Sequence, residues 1–88
     1  MLDDTLAKIN AVKAELKKLE SAHAEKATSV AGFASAAAHE AARKNRSPRL
    51  LGLAVQGLEH SAKELEASHP KIAAAVVEIC RDLTSLGI

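Results

Sequence analysis

The sequence predicts an all-α protein with one domain over residues 1–88, and three observations support this. Alanine, the strongest helix former, contributes 19 of the 88 residues. Aromatic residues, which favour strands, are reduced to Phe33. Apolar residues recur at spacings of three and four along most of the chain, which is the period of one helical face. A chain of this length forms at most one domain, and its core must be thin and aliphatic.

The first predicted element is a long N-terminal helix over residues 2–44. Its large apolar residues are Leu2, Leu6, Ile9, Val12, Leu16 and Leu19, and the same phase continues through Ala27, Val30, Ala34, Ala37 and Ala41. An alternative is a break near residues 28–32, where Thr28 or Ser29 could cap a new helix and Gly32 would weaken a helix interior. The continuous helix is preferred because the phase is kept.

Two shorter helices are predicted over residues 48–67 and 70–86. Ser47 followed by Pro48 is a helix start signal, because the hydroxyl can cap the helix and proline suits the first helical position. Ser68, His69 and Pro70 give a second stop and start, with Ser68 as the expected cap. Gly87 is expected to end the last helix in the left-handed conformation.

A long helix flanked by two shorter ones cannot enclose all of its apolar faces. Leu50, Leu53 and Val77 lie outside the main apolar stripes. The sequence therefore predicts an antiparallel, coiled-coil-like bundle completed by homo-oligomerisation, most simply as a two-fold dimer. The predicted seam between copies consists of small and apolar residues, namely Ala34, Ala37, Ala41, Leu50 and Leu53. A further protein partner of unknown identity is compatible with this architecture.

Charge and cysteine usage favour the cytoplasm. The formal net charge is +1, which creates no strong field toward nucleic acid or an anionic membrane. A single cysteine, Cys80, excludes an internal disulfide and suits a reducing compartment. Asp3 and Asp4 stand where a signal peptide would carry basic residues. No unbroken apolar run approaches the ~20 residues of a membrane span.

The C-terminal region resembles a known family. It contains Ser68-His69-Pro70, the alanines Ala73 and Ala74, Leu83, and a Gly87-Ile88 ending. This pattern is similar to that of a bacterial family of short helical proteins, the domain of unknown function 4404 family. The resemblance covers roughly the last quarter of the chain. It implies a bacterial origin and a helical fold, and it implies no catalytic role for any residue.

A basic segment joins the first and second predicted helices. Four cations that could contact phosphates lie within seven positions, namely Arg43, Lys44, Arg46 and Arg49. No aromatic residues are interleaved for base stacking. The preferred explanation of the segment is a solvated loop, or cations that complement the dipole at a helix C-terminus. Binding to nucleic acid or an anionic surface is therefore the alternative function, and nucleic acid is not expected as the main partner.

Two short patterns have the form of metal-ligand pairs. Glu20–His23 and Glu66–His69 each place a carboxylate and an imidazole three positions apart, as in di-iron helical bundles. Both lie near predicted helix ends, so a bundle metalloprotein is only a third hypothesis, and no cofactor is expected. His39-Glu40 begins like a zinc-protease motif but lacks the second histidine. Glu40 is instead expected to pair with Lys44.

No element of the sequence indicates an enzyme. Cys80 adjoins an apolar stripe and is expected to be a small buried hydrophobe without an activating partner. No glycine-rich phosphate loop or nucleophile motif is present. The sequence therefore favours a non-enzymatic module that associates with itself.

Overall fold

A computed structural model of the chain describes residues 2–19 and 24–86. These residues form four α-helices: α1 (Leu2–Lys17), α2 (Ala24–Ala42), α3 (Pro48–Leu65) and α4 (Pro70–Thr84). The helices pack in a ring in which α1 contacts α2 and α4, and α3 contacts α2 and α4. Because short segments join them, consecutive helices run antiparallel, as in an up-and-down four-helix bundle. The all-α prediction is confirmed for the described residues.

The predicted long first helix is wrong. A helix over residues 2–44 would be about 63 Å long, whereas the longest extent of the molecule is 38 Å. Helix α1 ends at Lys17, and α2 begins at Ala24 and continues through residues 28–32. The alternative break at residues 28–32 is therefore also wrong. The chain forms four helices of similar length instead of one long and two short ones.

Folding α2 back onto α1 is explained by burial. Val12 and Leu16 of α1 and Val30 and Ala37 of α2 are all buried in one core cluster. The apolar phase that runs through both segments correctly identified these faces. Because α1 and α2 are antiparallel, one core covers the apolar faces of both helices. A single extended helix could not bury both faces within one chain.

Helix α3 begins as predicted. Ser47 is the N-cap residue, its Oγ accepts a hydrogen bond from the N–H of Leu50 at 3.2 Å, and Pro48 occupies the first helical position. This arrangement satisfies one of the N–H groups that a helix start leaves without a partner. The helix ends at Leu65, two residues before the predicted end.

The start of α4 differs from the prediction in one residue. Pro70 is the first helical residue as expected, but the N-cap position is His69, whose side chain makes no capping hydrogen bond. Ser68 is therefore not the cap of this helix. Helix α4 ends at Thr84, before the predicted residue 86. The cap predicted at Gly87 lies outside the described residues.

The core of the bundle is closed within one chain. The largest fully buried side chains come from all four helices: Ile9, Val30, Leu51, Leu58, Leu65, Val76, Ile79 and Leu83. The oligomer was predicted because three helices could not cover the apolar faces. In the described residues four helices cover the main apolar stripes, whereas Leu50, Leu53 and Val77 stay exposed, so the oligomer stays a prediction.

Ion pairs fasten α1 to α4 at the surface. The Nζ of Lys8 lies 2.9 Å from a carboxylate oxygen of Glu78 and 2.9 Å from one of Asp82. Hydrogen bonds to Asp82 and Glu78 raise the pKa of Lys8 above its ordinary value. These two contacts link the first helix to the last.

Candidate functional site

Three of the four exposed large apolar side chains among the described residues belong to α2 and α3. Phe33 is 39% exposed, Leu50 44% and Leu53 52%. Leu50, Leu53 and Gly57 are spaced by three and four residues, so they lie on one face of α3. We call the surface formed by Phe33, Leu50, Leu53 and Gly57 the α2–α3 patch.

Gly57 leaves room for the aromatic ring of this patch. A Cβ atom added to Gly57 would lie 2.7 Å from Cζ of Phe33 and still closer to two other ring carbons. The ring therefore occupies the space that any other residue at position 57 would fill. Phe33 is the chain's one aromatic residue. The patch therefore contains the largest apolar side chain of the protein, and this side chain is partly exposed.

Sequence reasoning missed this contact. Phe33 precedes Ala34 and is out of phase with the buried stripe of α2, which runs through Ala27, Val30, Ala34, Ala37 and Ala41. An aromatic residue that lies beside an apolar stripe, and not within it, indicates a side chain at the surface. The antiparallel pairing of α2 with α3 follows from the predicted turn before Ser47, but periodicity along the chain does not say which residues of the two helices meet, so the contact with Gly57 was not identified.

The predicted oligomer seam divides into two parts. Ala34, Ala37 and Ala41 are 1%, 0% and 0% exposed in the single chain. They pack inside the bundle, where a second copy cannot reach them without opening it, and this corrects their assignment to a contact between copies. Leu50 and Leu53 remain on the surface, so only the α3 part of the predicted seam is accessible.

The basic segment is organised by a buried carboxylate. Glu40 is 7% exposed, accepts a hydrogen bond from the N–H of Ser47 at 2.8 Å, and forms an ion pair with Arg43 at 3.0 Å. The expected partner Lys44 is replaced by Arg43, one residue earlier. The N–H of Ser47, with a further contribution from Arg43, holds the pKa of Glu40 below its ordinary value against the opposing effect of desolvation.

This arrangement reduces the cationic character of the segment. One of the four predicted phosphate contacts, Arg43, is neutralised by Glu40. Lys44, Arg46 and Arg49 take no part in the ion pairs found in the described part of the chain. Three cations are therefore left at the end of the bundle where α3 begins.

A second surface feature is an open groove between α3 and α4. It has a volume of about 750 Å³, and small apolar residues such as Ala62, Ala74 and Val77 line it. Val77 is 45% exposed. The groove has both acidic and basic residues at its edges, among them Glu66 and Arg81. This mixed rim does not select one sign of charge in a partner.

Cys80 lies beneath this groove and is 3% exposed, as the buried interpretation predicted. Burial, with a smaller effect from Glu59, raises the pKa of its thiol to about 12. Its Sγ lies 3.9 Å from the carbonyl oxygen of Val55, a long S–H donor contact. A thiol in this state is protonated at neutral pH and is a poor nucleophile.

The described residues contain no group of three or more His, Cys, Asp and Glu side chains arranged to hold a metal ion. Glu66 and His69 lie at the end of α3 and just before α4. The other predicted pair, Glu20 and His23, lies outside the described residues. The metalloprotein hypothesis thus gains no supporting geometry from residues 2–19 and 24–86.

Comparison with known proteins adds no relative. No protein-family model, curated protein or solved structure matches the chain. The resemblance of the C-terminal region to the domain of unknown function 4404 family therefore stays a prediction. Within the described helices, none is both long and apolar enough to cross a membrane.

Proposed function

We propose that this chain is a non-enzymatic helical module that binds a second copy of itself through the α2–α3 patch. The observation that carries the proposal is the contact of the Phe33 ring with Gly57, beside the exposed side chains of Leu50 and Leu53. Exposed apolar side chains that are clustered, and not scattered, mark interaction surfaces. Aromatic residues near the centre of such a surface typically contribute most to binding.

Other features support a binding role over a catalytic one. The buried thiol of Cys80 is held in its protonated form, and the buried carboxylate of Glu40 is engaged by Ser47 and Arg43. The latter group organises a helix connection. Both groups are thus accounted for by the fold, which leaves apolar surfaces such as the α2–α3 patch as the features that suit binding.

The test is the mass of the protein in solution as a function of concentration. Wild type is compared with Leu53→Asp, in the patch, and with Val77→Asp, which makes the same change at a similarly exposed residue of α4. We expect wild type and Val77→Asp to approach twice the monomer mass in sedimentation velocity, and Leu53→Asp to stay monomeric. Circular dichroism establishes that each variant is folded.

Two results would contradict the proposal. A wild-type chain that stays monomeric from micromolar to millimolar concentration would show that the patch does not mediate self-association. Loss of association in Val77→Asp with retention in Leu53→Asp would place the contact in the α3–α4 groove instead.

A second candidate function is contact with an anionic polymer or surface. It is favoured by one observation, the cluster of Lys44, Arg46 and Arg49 outside the ion pairs of the described residues. Cations near phosphates release counterions, so such binding weakens steeply with salt. A mobility-shift assay with double-stranded DNA at low salt tests it, and the absence of any shift would remove it.

We also propose that the protein acts in the bacterial cytoplasm. The support is the lone cysteine, which suits a reducing compartment, and the resemblance of residues 68–88 to a bacterial family. Fractionation of the source cells, with the protein recovered in the soluble cytoplasmic fraction, is the expected outcome.

A further inference from the structure

The outer face of α3 carries a stripe of residues that reverses its charge from one end to the other. Arg49, Leu53, Gly57, His60 and Glu64 are spaced by four, four, three and four residues, so they lie on one face of the helix. Apart from Gly57, on which Phe33 is seated, all are exposed. We call these five residues the outer stripe.

The two ends of the outer stripe carry opposite charges that the chain itself does not pair. None of the ion pairs among the described residues involves Arg49 or Glu64. Lys26 approaches Glu64, but its Nζ donates to the backbone carbonyl oxygen at 3.5 Å and not to the carboxylate. A guanidinium and a carboxylate thus stand about 22 Å apart along the helix, with an apolar region between them.

This order of charges makes the stripe complementary to itself. If a second α3 lies antiparallel across the first, Arg49 of each copy meets Glu64 of the partner subunit at both ends. A parallel arrangement would instead place like charges together. Two-fold symmetric contacts use the same surface on both copies, so a surface must be complementary to itself in this way.

We propose that two copies associate through antiparallel α3 helices, with the two-fold axis passing near Gly57. This inference rests on the proposed function and assigns its geometry. The axis lies between positions 56 and 57, midway between Arg49 and Glu64. Leu53 then faces His60 of the partner subunit, and the two Phe33 rings meet near the axis. The largest apolar side chain of each copy is thereby placed at the centre of the contact, where water is best excluded.

The size of the surface indicates a dimer that dissociates on dilution. A stable interface buries about 800 Å² on each partner. The outer stripe spans about 22 Å of a helix that is about 10 Å wide. Because this face is smaller than a typical interface, the charge pairs at its ends are expected to have a measurable effect on affinity and orientation.

Charge reversal tests the arrangement. Arg49→Glu and Glu64→Arg each convert two attractive contacts into two repulsive ones, since the dimer contains each pair twice. We expect either change to raise the dimer dissociation constant at least about tenfold at low salt. The double variant Arg49→Glu/Glu64→Arg restores opposite charges and is expected to return to within about threefold of wild type. Sedimentation velocity gives the dissociation constants.

Glu59→Arg is the matched control. It makes the same charge change on the same helix, but Glu59 borders the α3–α4 groove and lies outside the outer stripe. At the same low salt its dissociation constant is expected to stay within about threefold of that of wild type, because the changed charge has no partner in the contact. Circular dichroism of all four variants establishes that they are folded.

The outcomes separate this inference from the proposed function. If Leu53→Asp abolishes association but neither charge reversal changes it, the patch mediates self-association and the antiparallel arrangement is refuted. If both reversals weaken the dimer and the double variant does not recover, the copies do not pair Arg49 with Glu64. If the wild-type chain never dimerises, the proposed function fails as well.

Discussion

Replacing Gly57 with alanine tests the contact between Gly57 and Phe33 in the α2–α3 patch. Glycine in a helix interior is less favourable than alanine by about 1 kcal/mol. Gly32 in α2 and Gly52 in α3 have open space where a Cβ would be added. We expect Gly32→Ala and Gly52→Ala each to raise the free energy of unfolding by about 0.5–1 kcal/mol. These two variants provide the reference for the third.

At Gly57 the same substitution has the opposite expected sign. The added Cβ overlaps the ring of Phe33, which must leave its seat. Since Phe33 is 39% exposed, roughly three-fifths of the side chain is hidden. For an aromatic residue this is about 120 Å², worth at most about 3 kcal/mol at ~25 cal/mol per Å². After the helix gain of about 1 kcal/mol, Gly57→Ala should destabilise the chain by about 1–2 kcal/mol.

A double-mutant cycle with Phe33→Ala isolates the contact. Without the ring, the Cβ at position 57 has space, and Gly57→Ala should then stabilise the chain as the other two glycine substitutions do. The expected coupling between positions 33 and 57 is therefore about 1–3 kcal/mol. Urea unfolding followed by circular dichroism measures it, at one protein concentration low enough to keep the chain monomeric.

One result would refute this reasoning. If Gly57→Ala stabilises the wild-type background as much as Gly32→Ala does, with no coupling to Phe33, the ring is not seated on Gly57. The α2–α3 patch would then lack its aromatic residue.

Three further predictions follow from the helix connection and the buried thiol. Ser47→Ala removes the side-chain cap of α3 and should lower the free energy of unfolding by about 1 kcal/mol, measured by urea unfolding; an unchanged midpoint would show that the 3.2 Å contact to Leu50 has no energetic role. The folded-state pKa of Glu40 lies below its ordinary value of 4.5, so its contribution to stability is present above that value and is lost as pH falls through the folded-state pKa. The difference in stability between wild type and Glu40→Gln should accordingly shrink as pH falls from neutrality through that range, and a difference that does not vary with pH would count against the assignment. Cys80, with a pKa raised to about 12, should react with a thiol reagent such as DTNB far more slowly in the folded protein than in denaturant, whereas equal rates would mean that the thiol is accessible.

The buried faces could be predicted from the sequence because helical periodicity depends only on neighbours along the chain. Val30, Ala37, Leu58 and Val76 all belong to the predicted stripes, and all four are at 0% exposure. The start of α3 could also be predicted from the sequence, because a capping residue and a proline act locally.

The break between α1 and α2 was not predictable by the same reasoning. The apolar phase continues from Leu16 to Ala27, and this continuity by itself predicts one helix. Whether such a pattern extends or folds back is decided by long-range burial against α3 and α4, which periodicity does not contain. The sequence did hold one relevant sign: no large apolar residue occurs between Leu19 and Val30, so this segment had little to bury as part of a continuous helix.

The fold-back of α2 changes the physical meaning of self-association in this protein. With a long first helix, a second copy would be required for folding, and the monomer would expose much of its core. With four helices the core is closed within one chain, and in residues 2–19 and 24–86 the exposed large apolar side chains are Phe33, Leu50, Leu53 and Val77. If two copies associate as proposed, association adds the free energy of covering one helix face, and a core buried within one chain means that folding should not depend on it. A monomeric Leu53→Asp variant should consequently unfold as cooperatively as wild type, and an unfolded Leu53→Asp variant would restore the view that the second copy completes the core.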